Sequence, residues 1–76
     1  MTRSGLLREI EILIELDAGT LTGREPLTSF SQLDSLALMG YIALVKTKLN
    51  IVLEGESVSK ARTFDDLLSL VPGLSS

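Results

Sequence analysis

Leu33-Asp34-Ser35-Leu36, with the apolar run that follows it to about Leu49, decides how this chain folds. An irregular stretch ends here and a helical pattern begins. Asp34 or Ser35 therefore caps the helix, because a side-chain oxygen of either residue accepts a hydrogen bond from an orphan N–H of the first turn. Leu38, Ile42, Val45 and Leu49 recur at helical spacing and predict the buried stripe, with Met39 and Tyr41 on its borders. Leu36, Ala37, Gly40, Ala43, Leu44 and Thr47 cover much of the remaining surface. The only charges within the helix are Lys46 and Lys48, near the C-terminal end, where cations suit the helix dipole. A small, apolar outer side has two readings. It is a partner surface, with Gly40 and Ala43 permitting close approach, or it lies under the long loop or a later helix.

Working outward, Leu6, Leu7, Ile10, Leu13 and Ile14 build one helical stripe in a first helix from about Ser4 to Asp17. Ile12 and Leu16 widen it. Arg8, Glu11 and Glu15 fall opposite, where they read as a solvated surface with Arg8 paired to either acid. Gly19, after Asp17-Ala18, is expected to be the left-handed cap. Residues 18–33 show no sustained period, and Gly19, Gly23 and Pro26 punctuate them. Leu21, Leu27, Phe30 and Leu33 are expected to pin this long loop to the helices, Phe30 as a core anchor.

Downstream of Asn50, Ile51-Val52-Leu53 has no strand to pair with and reads as an extended connector packed on the core. Gly55 to Lys60 reads as one short helical turn. Thr63 caps the last helix, with Asp66 in the capping-box position and Phe64, Leu67, Leu68 and Val71 as its apolar face. Pro72-Gly73 closes it, and the final serines are expected to fray. The expected architecture is all-α: a small bundle of three main helices plus a short fourth turn, with a long loop between helices one and two, in one domain spanning 1–76.

Composition narrows the function. The chain has 76 residues, no cysteine and no histidine, so it holds no disulfide, no thiolate or imidazole metal site and no Ser–His or Cys–His nucleophile pair. No metal site and no catalytic residue is expected, and the chain reads as a non-enzyme. Net charge is −3 and the seven basic residues are scattered, which argues against nucleic acid. No apolar run approaches a membrane span, and Glu11 and Glu15 interrupt the only candidate signal-peptide core. A cytoplasmic, soluble monomer is expected, and Met1 fits either a free-standing chain or an excised domain with a cloned Met.

The order of an amphipathic helix, a long loop with Phe30, Asp34-Ser35-Leu36 and a closing helix at Thr63-Phe64-Asp65-Asp66-Leu67-Leu68 resembles the acyl carrier and peptidyl carrier protein family across nearly the whole chain. The resemblance implies a carrier of acyl or aminoacyl thioesters on a 4′-phosphopantetheine arm, which a phosphopantetheinyl transferase moves from coenzyme A onto Ser35. It implies that Asp34 presents the serine and that Leu36 packs beside the attachment point. Leu36, Met39, Gly40 and Ala43 would then meet the loading enzyme and downstream synthase enzymes. Fatty-acid members usually have Gly close before the Asp and several acids along the second helix. Here Gln32-Leu33 precede Asp34, and Gly40, Lys46 and Thr47 stand where acids are expected. A specialised carrier in polyketide or nonribosomal peptide synthesis is therefore expected ahead of a fatty-acid synthesis carrier. The rival from another class is an unmodified helical interaction module, in which Ser35 is only a cap; a degenerate, unloaded carrier is a third reading.

Overall fold

Thr2 starts the first helix: its hydroxyl accepts the Gly5 N–H at 3.0 Å, and α1 then runs Arg3–Leu13. This computed structural model describes residues 1–75. Leu6, Leu7, Ile10 and Ile14 are buried, as their spacing predicts. The helix ends short of the expected Asp17. Glu15 takes a left-handed backbone (φ 62°), and the Glu15 and Leu16 N–H groups bond to the Ile12 and Glu11 carbonyls at 3.2 and 2.8 Å. That pair of bonds is a Schellman closure, with Glu15 in the place glycine usually fills. Gly19 is not the cap. Its positive φ (91°) instead serves a turn in which the Thr20 N–H reaches the Asp17 carbonyl at 3.2 Å. Ile12, still within the helix, falls on the side away from Ile10 and Ile14 and is 71% exposed, instead of widening the stripe.

Glu11 is the larger correction. It does not sit on a solvated face: only 1% of it is exposed. Its carboxylate accepts the Leu21 N–H at 2.8 Å and the Gly19 N–H at 3.2 Å, so it binds the backbone of the long loop. Arg8 joins from one turn earlier. Its Nη2 donates to the Leu21 carbonyl at 2.8 Å, while Nε lies 2.6 Å from Glu11 Oε1 as a charge contact without hydrogen-bond geometry. Leu21 itself is buried beneath this clamp.

Beyond Leu21 the loop organises itself and then docks. The Glu25 carboxylate accepts the Thr22 and Gly23 N–H groups and the Thr22 hydroxyl. Desolvation opposes ionisation there, but these hydrogen bonds outweigh it and hold Glu25 down at about 2. Gly23, at φ 107°, lies against the Arg3–Asp65 ion pair with no space for a side chain. Three backbone bonds tie the loop to the start of the last helix: Asp65 N–H to Gly23 O at 2.8 Å, Leu27 N–H to Arg62 O at 2.8 Å and Phe64 N–H to Glu25 O at 3.3 Å. A 3₁₀ turn follows at Leu27–Ser29. Leu27, Phe30 and Leu33 are half-buried against the core, and the Phe30 ring meets Phe64 edge-on at 5.7 Å. The anchors expected from the sequence are the ones used.

The second helix, α2, runs Ser35–Leu49, and Asn50 ends it in a left-handed conformation with its N–H on the Lys46 carbonyl. Its buried face is centred on Tyr41 and Val45, with Leu38, Ile42 and Leu49 half-buried. Tyr41 therefore moves from the expected border to the centre. Its hydroxyl donates to the Leu67 carbonyl at 2.7 Å, and burial pushes its pKa up. Leu53 of the connector is buried, and no strand forms among the described residues. A short α3 (Gly55–Ser59) packs on α2. The last helix, α4 (Phe64–Ser69), has the full capping box: Asp66 donates its N–H to Thr63 Oγ1, and its carboxylate accepts the Thr63 N–H. Ser75 is not frayed, since its carbonyl accepts the Arg3 N–H at 2.7 Å; Ser76 lies outside the described residues.

Glu11→Ala should destabilise the fold by about 2–3 kcal/mol, because it leaves two loop N–H groups and a partner cation without their acceptor. Glu15→Gly should stabilise by about 0.5–1 kcal/mol, relieving a left-handed non-glycine residue. Urea denaturation of both variants checks the pair, and similar small losses in each would contradict the placement of these acids.

Candidate functional site

The loop arrives at α2 through Phe30 and Leu33, and the next residue resolves the capping ambiguity. Asp34 is the cap. Its backbone is extended (φ −95°, ψ −173°), and Oδ1 accepts the Ala37 N–H at 2.9 Å. Its carbonyl accepts the Leu38 N–H at 3.0 Å. With Asp34 in that role, Ser35 is left free. It is the first residue of α2, it is exposed, and its hydroxyl makes no hydrogen bond among the described residues. The Ser35 and Leu36 N–H groups are among the orphan donors of the first turn, at the positive end of the helix dipole. An exposed primary hydroxyl beside outward N–H groups suits attachment or binding of an anionic group.

The outer side of α2 is not covered by the loop or by α3. Leu36 is 75% exposed, Met39 is 64% exposed, and Ala43 is exposed between two half-buried neighbours. Gly40 behaves differently from the other members of this group. It is half-buried, and a Cβ built on it would stand 3.0 Å from Leu13 Cδ1. Its missing side chain thus leaves room for the Leu13 side chain of α1.

Where the two helices diverge, an open groove of about 640 Å³ runs beside Ser35. Leu13 and Ile14 form one wall, and Leu36, Ala37, Met39 and Ala43 form the other. Asp34 and Glu15 are the charged groups lining it, with Gln32 completing the rim. Sequence reasoning reached the α2 wall and missed the α1 wall. Ile14 and Glu15, which line the groove, lie just past the end of α1, and that end rests on a Glu in a glycine position, which no local signal marks. Among the described residues no group of three or more His, Cys, Asp or Glu is placed to hold a metal ion, and no helix is long and apolar enough to cross a membrane.

Because Asp34 carries the cap, the two neighbours should respond differently to truncation. Asp34→Ala should cost about 1 kcal/mol, whereas Ser35→Ala should stay within about 0.5 kcal/mol of the parent. Thermal melts followed by circular dichroism check this, and a larger loss at Ser35 than at Asp34 would reverse the assignment. Comparison with protein-family models, with characterised proteins and with solved structures finds no match to this chain.

Proposed function

We propose that this chain is a carrier protein with an acyl-carrier-like bundle, bearing a 4′-phosphopantetheine arm on Ser35. The observation that carries the reading is the division of labour at the head of α2. Asp34 supplies the cap, so the Ser35 hydroxyl is exposed and unengaged at a helix start. The residues present fit such a group. Ser35 Oγ provides the point of attachment, and the orphan N–H groups of the first turn and the helix dipole favour an anion beside it. Leu36, next to Ser35, and Met39, one turn on, offer apolar contact to an enzyme that approaches the serine. When bound, the arm supplies a terminal thiol that holds an acyl or aminoacyl group as a thioester. The chain's own residues contribute presentation: a rigid helix, a pinned loop and an accessible hydroxyl, with no catalysis of their own.

The partners of this reading are a phosphopantetheinyl transferase, an acyl- or aminoacyl-loading enzyme and downstream synthase enzymes of specialised metabolism, polyketide or nonribosomal peptide, in the cytoplasm. The absence of any acid within α2 supports partners other than those that dock on acidic helices. The exposed Leu36 and Met39 favour one second reading, an unmodified helical interaction module. Intact-mass measurement after incubation with coenzyme A and a broad-specificity phosphopantetheinyl transferase separates the two. A gain of one phosphopantetheine is expected in the native chain and none in Ser35→Ala. No gain on a folded native sample would overturn the loaded-carrier reading in favour of the module or of a degenerate, unloaded carrier.

A further inference from the structure

The outward side of α2 carries a second seam, distinct from the one that builds the core. Leu36, Met39, Ala43 and Lys46 follow one another at spacings of three, four and three residues, and all are exposed. That is the spacing with which one helix packs along another. We propose that a second copy of this chain occupies this seam, with the two α2 helices antiparallel about a two-fold axis at the level of Tyr41.

Three features of the seam select that occupant. First, it is self-complementary in size. Antiparallel pairing sets Met39 of each copy opposite Ala43 of the other, so that a long, adaptable side chain meets a small one twice. Second, it is self-complementary in charge. Asp34 stands at one end and Lys46 at the other, about 18 Å apart along the axis. Neither has an ion-pair partner within the chain among the described residues, and Lys46 Nζ is held only by the neutral Asn50 side chain at 2.7 Å. Antiparallel pairing brings each Lys46 over Leu36 of the other copy, with its ammonium toward Asp34. Parallel pairing would set like charges together. Third, the seam is flanked by an apolar hollow of about 330 Å³ formed by Ile42, Val52 and Lys46 beside it, and Val52 is 72% exposed. A closed two-fold pair removes this surface from water on both copies at once.

The patch is small. Specific interfaces bury about 1,200 Å² or more, and few apolar side chains per copy place this one at the weak end, with a dissociation constant on the order of 100 µM. This inference departs from the monomer expected from the sequence and does not depend on the chemistry proposed for Ser35; because pairing and enzyme docking both use Leu36 and Met39, one copy does one or the other at a time.

Sedimentation velocity of the full chain from ~10 µM to ~1 mM, a range that brackets that constant, tests it. The native chain is expected to pass from monomer to dimer. Met39→Glu should remain monomeric throughout, and Lys46→Glu should weaken pairing about tenfold, since it turns two attractions into two repulsions. Adding Asp34→Lys to Lys46→Glu restores opposite charges and should recover the dimer, with circular dichroism confirming that each variant is folded. A native chain that stays monomeric at every concentration overturns the proposal and leaves the seam to a different protein. A dimer unaffected by Met39→Glu overturns it equally, because the contact would then lie elsewhere.

Discussion

The carboxylate of Glu11 is the constraint on which the rest of the structure depends. The segment between α1 and α2 is long and has little regular structure, so its backbone donors lack the partners that a helix or sheet would provide. Glu11 reaches out of α1 and satisfies two of them, at Gly19 and Leu21, while Arg8 takes the Leu21 carbonyl. A buried acid is costly alone. Here its charge is met by a guanidinium and by two N–H donors, which makes its burial tolerable. The same bonds drop Leu21 into the core and set the direction in which the loop leaves α1.

Once the loop is directed, its later contacts follow. Glu25 folds the Thr22–Gly23 corner around its own carboxylate, and Gly23 carries no side chain that would push the loop off Arg3 and Asp65. Residues 23–27 then exchange backbone bonds with residues 62–65, so the loop and the head of α4 stabilise each other. Tyr41 closes the circuit from the other side, joining α2 to the Leu67 carbonyl of α4. Ser35 is thereby held by a loop pinned along its length and by a helix tied to the core. Its exposed hydroxyl thus stands among hydrogen-bonded neighbours.

The helix that begins at Ser35 divides its faces sharply. Tyr41 and Val45 face inward, Gly40 faces α1, and Leu36, Met39 and Ala43 face water. The helix thus presents apolar side chains to solvent beside an accessible hydroxyl, an exposed patch of the kind that often marks a binding surface. Gly40, lacking a side chain, makes room for Leu13, and both line the adjoining groove.

Much of this was readable from the sequence alone. The α2 boundaries, the Thr63–Asp66 capping box, the buried stripe of α1 and the apolar anchors of the loop each rest on short-range chemistry, which a sequence displays directly. The contact of hydroxyl-bearing Ser35 with solvent was implied once a helix start was placed there, although the choice between Asp34 and Ser35 as cap was settled only by the folded structure. Tertiary structure decided the rest. Glu11 and Glu15 look alike in sequence, yet one is buried because loop N–H groups need an acceptor, and the other turns left-handed because the loop must leave there. Tyr41 moved to the core because the Leu67 carbonyl waits for its hydroxyl, and Met39 stayed outside because no element packs over it. Local pattern sets where helices start and which residues are apolar; which polar groups find each other across the fold is settled only by bringing distant backbone together.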